Sequence, residues 1–293
     1  TFSYCKVQED PVRLIRIMLL CIARCTHGLV IHQSIQMKMS FQTTSTISSS
    51  SQLPIGLRNR NQNYSTNFAE EYSQRRIELS VFQRALLAAG SAGISLTNPY
   101  RGDMIACLGE TTGESALKYC RAKMLETEEG KRIIDQMPRI NSRDVDLQKL
   151  AELPEGSVGR TYADFLSNNK VSPDDRPPVQ FVEDIDLAYV MQRYREVHDI
   201  FHAMLLMPTT MLGEVAVKWV EALQLRLPMC IGGAIFGAAR LKPKQRQLYL
   251  KYHLPWALQT GRNAKFLLGV YFEERWEQSL DEFHKEMNIK RLI

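Results

Sequence analysis

Residues 187–228 read LAYVMQRYREVHDIFHAMLLMPTTMLGEVAVKWVEALQLRLP. Leu187 to Met207 carries the helical recurrence of apolar residues, and Pro208 ends it. Proline lacks the amide a helix interior needs and clashes with the preceding turn. The Thr209–Thr210 pair offers an N-cap for a second helix that runs to Leu227, before Pro228. A turn at Pro208–Thr210 lets the second helix fold back antiparallel to the first.

The pattern stays helical on both sides of this pair. Upstream, Leu79, Phe82, Leu86 and Ala89 recur at helical spacing as far as Asn98–Pro99. Asp103 can cap the next helix, which breaks near Gly109 or Gly113 and resumes through Leu117, Cys120 and Met124. Gly130 to Met137 is a short helix closed by Pro138. Leu153 to Pro178 is the one long irregular region, rich in Pro and Gly, around a short element at Thr161–Leu166. Downstream, Phe272, Trp276, Leu280, Phe283 and Met287 form a core stripe at helical spacing, read as one last helix. Alternating β-branched runs long enough for a sheet are missing. The expected architecture is all-α: a single compact multi-helix domain over 70–293.

In front of it, 1–69 reads as a mitochondrial transit region, largely disordered. From Pro11 to Ala69 there is no acidic residue, while Arg13, Arg16, Arg24, Lys38, Arg58 and Arg60 recur beside a Ser/Thr-rich run. That composition marks import, with cleavage expected between Arg60 and Glu70. The chain opens on Thr1, so initiation at Met37 or Met39, with upstream sequence translated before it, is a further expectation. The formal charge of +5 belongs to this segment, because residues 1–64 hold seven basic and two acidic residues. The remaining 30 basic and 30 acidic residues cancel. A neutral body offers no overall attraction to a polyanion, which argues against nucleic-acid binding. The body's Cys107, Cys120 and Cys230 are far apart in sequence, against both a disulfide framework and a thiolate zinc site.

The chemistry concentrates in His198-Asp199-Ile200-Phe201-His202, with Glu214 twelve residues on. Spacing i, i+4 sets both imidazoles on one helix face, where they can chelate one cation. Asp199 lies about 100° round the helix and can add an oxygen. The antiparallel turn brings Glu214 towards the histidines. This N/O set suits Zn2+, with Fe2+ or Mn2+ as lesser alternatives. Tyr194 and Arg195, one turn earlier on the same face, make it too polar for simple core and suggest the wall of a site for an acidic ligand. Arg195 is the expected steering cation. Gly232, Gly233, Ala234, Gly237, Ala238 and Ala239 lie within a fifteen-residue run from Leu227 to Leu241, short of the roughly 20 a bilayer requires. These small residues permit tight helix packing or an apolar groove for a long ligand tail.

Residues 189–214 closely resemble one family, the fourth of the numbered ubiquinone (coenzyme Q) biosynthesis proteins, whose signature is HDxxH, eleven residues and Glu. The likeness continues in Arg101-Gly-Asp-Met, Gly109-Glu-Thr-Thr-Gly113, Leu153-Pro-Glu-Gly156, Asp175-Arg-Pro-Pro178, His253-Leu-Pro-Trp-Ala-Leu258 and Arg275-Trp-Glu-Gln-Ser-Leu280. One departure is Met137-Pro-Arg-Ile140, where the family often has Arg-Pro-Arg-Ile; Arg139 is retained. The resemblance implies a zinc-dependent lyase that removes the C1 carboxylate of a polyprenyl-substituted 4-hydroxybenzoate (4-hydroxy-3-methoxy-5-polyprenylbenzoate), with C1 hydroxylation left open. It implies a peripheral place on the matrix side of the mitochondrial inner membrane, in a complex with other ubiquinone-biosynthesis enzymes; a homodimer is also left open. Asp199 and Arg195 are the expected catalytic residues; His198, Asp199, His202 and Glu214 the expected metal ligands. The alternative is a non-catalytic scaffold or lipid-binding organiser of that complex. A metal hydrolase fits poorly. HD-type phosphohydrolases need another upstream histidine, and the nearest is His32; a zinc protease would want Glu in place of Asp199.

Overall fold

The central helix is buried all round although it is rich in charge. In the computed structural model, which describes residues 62–292, no strand occurs among the described residues. Residues 1–61 of the expected transit region lie outside them. The helices are α1 (Gln62–Arg75), α2 (Val81–Thr97), α3 (Gly102–Thr112), α4 (Glu114–Met124), α5 (Glu128–Gln136), α6 (Leu147–Ala151) and α7 (Val158–Asn169). They continue with α8 (Ile185–Met204), α9 (Met211–Leu225), α10 (Pro228–Ala239), α11 (Pro243–Leu248), a π turn (Tyr249–His253), α12 (Leu254–Asn263) and α13 (Leu280–Met287).

Every residue of α8 from Leu187 to Met204 is buried. Such a helix normally carries apolar side chains on all sides. This one holds Gln192, Arg193, Arg195, Glu196, His198, Asp199 and His202, so each needs a partner from a neighbouring element. Arg193 donates to Glu273 Oε2 at 2.9 Å and to the Val270 carbonyl at 3.1 Å. Glu196 accepts from Arg139 Nε at 2.7 Å and from the Ile140 amide at 2.9 Å. These bonds tie α8 to the loop after α5 and to the 270s segment, and deleting one partner would strand a buried charge at about 3–5 kcal/mol.

The α8–α9 turn forms as the sequence predicts. Asp184 caps α8 by accepting from the Leu187 amide, and Thr210 caps α9 by accepting from the Gly213 amide. Between them Leu206 takes φ +55°, and the Met207 amide donates back to the His202 carbonyl. Gly213 lies so close to the turn that a Cβ there would sit 2.0 Å from the Pro208 carbonyl oxygen. That approach fixes the first turn of α9, and therefore Glu214, against the end of α8.

Four expectations change. The stripe from Phe272 to Met287 is not one helix: α13 starts only at Leu280. Residues 276–279 form a turn and an isolated bridge to Ser157 instead, because their backbone is bonded to 156–159, through Val158 N to Gln278 O (2.9 Å) and Leu280 N to Gly156 O (2.7 Å). The short element expected at Thr161–Leu166 is instead the full helix α7, capped by Ser157. Asp103 lies inside the first turn of α3, whose N-cap is Arg101. The folded body also reaches back before Glu70, for Phe68 of α1 is buried and stacks on Tyr72. The face of α2, by contrast, is open: Val81 is 88% and Phe82 77% exposed.

Candidate metal centre

His198 and His202 stand one turn apart on α8, with ring centroids 4.9 Å apart. Each has its Nδ1 held from behind. His202 Nδ1 lies 3.0 Å from the Met207 carbonyl, which can only accept, so Nδ1 carries the proton. His198 Nδ1 faces the fully buried Glu221 carboxylate. Both Nε2 atoms therefore present lone pairs, and both face one oxygen of Glu214 on α9, at 3.8 Å from His198 and 3.4 Å from His202. One ligand atom from each of the three residues lies within 4.8 Å of the others. His202 Nε2 is buried and has no hydrogen-bond partner. Two imidazoles and a carboxylate, with an unsatisfied nitrogen between them, fit a divalent transition ion, and a carboxylate or carbonyl behind each histidine is the usual outer support of such ligands.

Asp199 is not brought into this trio. Its carboxylate is taken by Arg176, with Nη2 to Oδ1 at 2.6 Å and Nε to Oδ2 at 3.3 Å. Arg195 is buried and gives three of its five donors to Glu110 Oε1 at 2.6 Å, the Ala106 carbonyl at 3.1 Å and the Pro177 carbonyl at 2.8 Å. It bolts α8 to α3 and to the loop before α8. Glu110 in turn accepts the amides of Gln180 and Phe181.

Of the residues behind His198, Tyr194 was read from the sequence, while Glu221 and Lys218 were not. Glu221 accepts from Lys218 at 2.6 Å and from the Tyr194 hydroxyl at 2.9 Å, and Lys218 also donates to Tyr194 at 3.0 Å. A signal existed, because Glu214, Lys218 and Glu221 recur at i, i+4, i+7 on α9 and so share a face. Burial alone would raise the Glu221 carboxyl, but Lys218 and His198 outweigh it and hold it far below the carboxylate range. Burial, then Lys218, lowers His198 and keeps its imidazole neutral.

A cavity of about 970 Å³ opens in front of these groups. Arg176, His198, Glu214 and Lys218 form its polar end. Leu108, Met229, Gly232, Gly233 and Phe236 continue it as an apolar wall. The small-residue run of α10 does both things expected of it. Gly237 packs on Val215 of α9, where a Cβ would come within 2.7 Å, while Gly232 meets nothing closer than 3.9 Å and lines the cavity.

The family described as "Coenzyme Q (ubiquinone) biosynthesis protein Coq4" matches residues 72–292. The chain is 61% identical over 232 residues, 79% of its length and 90% of the relative's, to a Bombyx mori protein named "Ubiquinone biosynthesis protein COQ4 homolog, mitochondrial". The same name is given to a Drosophila pseudoobscura pseudoobscura protein 56% identical over 225 residues, 77% of this chain and 84% of that one. Among solved structures, a Nostoc punctiforme protein named for ubiquinone biosynthesis shares the fold. Its TM-score is 0.54 at 18% identity, over 70% of this chain and 95% of that one. With a family match over nearly all the described residues and relatives above half identity, this chain belongs to the Coq4 family of coenzyme Q (ubiquinone) biosynthesis proteins.

Proposed function

We propose that the protein holds Zn2+ through His198, His202 and Glu214 and removes the C1 carboxylate of a polyprenyl-substituted 4-hydroxybenzoate. The observation that carries this reading is the buried, unpartnered Nε2 of His202, facing Glu214, which lines the polar end of the cavity. Three protein ligands with one open side are the pattern of catalytic rather than structural zinc sites. The ion, when bound, supplies Lewis acidity towards the substrate's oxygen substituents. Glu221 and the Met207 carbonyl keep both imidazoles in the tautomer that presents Nε2. Asp199, ion-paired beside them, relays the proton that replaces the carboxylate at C1. The apolar wall from Leu108 to Phe236 excludes water from the tail and aligns the ring with the ligands.

We place the protein in mitochondria, on the matrix face of the inner membrane, in a complex with other ubiquinone-biosynthesis enzymes. The relatives' names and the acid-free leader support the compartment. Among the described residues no helix is long and apolar enough to cross a membrane. The open apolar face of α2, with Val81, Phe82 and Leu86, supports attachment at a surface. The test is turnover by purified zinc-loaded protein given a prenylated 4-hydroxybenzoate, followed as CO2 release. If folded, complex-bound Glu214→Gln and Asp199→Asn variants sustain normal ubiquinone levels, the catalytic reading fails and a scaffold takes its place.

A further inference from the structure

Four arginine and lysine side chains line the cavity: Arg176, Arg195, Lys218 and Arg240. A planar carboxylate is read best by an accessible guanidinium with an open edge of paired donors. Arg195, with its side chain 5% exposed, spends its guanidinium on Glu110 and two carbonyls. Lys218 donates to Glu221 and Tyr194, is neutralised by the buried Glu221, and as a single ammonium cannot match both oxygens of a carboxylate. Arg240 is bound to the carbonyls of Phe236 and Leu96, where α10 ends. Arg176 differs. Its side chain is 37% exposed, and Asp199 takes one edge of the fork through Nε and Nη2. Of five guanidinium donors two are thus engaged. Both donors on Nη1 and the second on Nη2 have no protein partner among the described residues.

Charge counting points the same way. At the buried end Arg195 cancels Glu110, Lys218 cancels Glu221 and Arg176 cancels Asp199. Glu214 is left with one negative charge. A divalent ion on the trio turns that to one positive charge, which a single carboxylate would neutralise. Asp103 and Asp175, also on the cavity wall, are exposed and are bonded to Arg101 and to the Ser172 amide.

We propose that Arg176 is the residue that binds the ligand's acidic group: its outer edge grips a planar carboxylate while Asp199 braces its inner edge. This rests on the substrate class proposed above and moves the steering role from Arg195, whose part is structural. A fixed guanidinium matches two carboxylate oxygens at once, which a lysine cannot do. It also offers the carboxylate a partner other than the ion, so the bond that must break is not held in its ground state by the Lewis acid.

The test uses the full chain, zinc-loaded and metal-free, titrated by tryptophan fluorescence with geranyl-substituted 4-hydroxybenzoate and with its methyl ester. Wild type should prefer the acid by roughly tenfold to a hundredfold, the span of a charge-assisted hydrogen bond. Arg176→Lys keeps a cation for Asp199 and should melt with wild type, yet its preference should shrink to about threefold or less. Arg176→Gln should abolish the preference, while Arg195→Lys should lower the melting temperature and retain it. Zinc content should be unchanged in both Arg176 variants. Full preference in Arg176→Lys and Arg176→Gln would overturn the assignment alone. A wild type that ignores the difference between acid and ester would overturn the substrate class, and the assignment with it.

Discussion

Replacing Glu221 by Gln keeps the shape behind His198 and removes its charge. The carboxylate is wholly buried and serves His198, Lys218 and Tyr194 at once. Its loss strands the Lys218 ammonium, whose side chain is 18% exposed. Deleting one partner of a buried pair costs about 3–5 kcal/mol, and the partial exposure of Lys218 puts the expectation near the low end, at about 3 kcal/mol. For a body of this size that lowers the melting temperature by roughly 6–12 °C. A second effect acts on the site. Gln can present its carbonyl to His198 Nδ1, but it can equally turn its amide there and reverse the tautomer, so zinc affinity should fall by about 10–100-fold. The two effects come apart in the double variant Glu221→Gln, Lys218→Met. Without the stranded ammonium most of the thermal stability should return, while zinc affinity stays low. Calorimetry and competition against a chelator read them separately. A single variant that melts within about 2 °C of wild type, with unaltered zinc retention, would refute the support assigned to Glu221.

His202→Ala should abolish stoichiometric metal while leaving the helical circular dichroism nearly intact, and equal metal in mutant and wild type by elemental analysis would sink the site. The metal-free protein should lose stability on acidification. Glu221 is depressed when folded, chiefly by Lys218, and His198 is lowered by burial, so each contributes stability above its unfolded value that is lost as pH falls. Denaturation midpoints should decline below about pH 6.5 and fall further below about pH 4; a flat profile between pH 7 and 4 would contradict this. Deleting residues 1–61 should leave the body's melting temperature unchanged but keep it out of mitochondria. Deleting 1–68 also removes the buried Phe68 ring and should cost about 3–5 kcal/mol, so equal stability of the two truncations would place Phe68 outside the core.

The helix pair and its turn were legible because their signals are local: Pro208 and Thr210 act within four residues of themselves. So was the meeting of His198, His202 and Glu214, which needs only helical spacing and a tight turn. What escaped was set by distant backbone. Nothing in the spacing of Phe272, Trp276 and Leu280 reveals that 276–280 pair with 156–159, and the same residues do line the core, with Phe272, Leu280, Phe283 and Met287 all buried. Helical spacing puts Arg195 on the face of α8 that carries His198, and it does line the cavity there. Its partner Glu110 lies 85 residues upstream, beyond the reach of any periodicity, and that partner decides that Arg195 holds the fold together. Arg176 sits in the Asp175–Pro178 loop with no periodicity at all. The open α2 face shows the converse failure, since helical spacing of apolar residues places them on one side without saying what covers that side.

The strongest reason to read an ion into the trio is the poverty of alternatives for its lone pairs. Each imidazole has one N–H when neutral, and in both rings it is used at Nδ1. Two Nε2 acceptors then converge on a carboxylate oxygen, itself an acceptor, at 3.4 and 3.8 Å. Three acceptors without a donor repel one another. A proton on each ring would relieve this, but two adjacent imidazolium ions would have to coexist, and burial with Lys218 holds His198 in its neutral form. A proton on His202 alone satisfies one contact and leaves the His198 lone pair facing the same oxygen. A single dication satisfies all three, balances Glu214 and leaves the one positive charge that the acid group at Arg176 would cancel. The other buried polar groups of α8 find partners inside the protein; the exception besides His202 Nε2 is the Nε of Arg193, whose guanidinium is already anchored on Glu273 and Val270. Unlike that Nε, whose group is held on both sides, His202 Nε2 is the only free site of its ring and faces another ligand atom, and that marks where the ion enters.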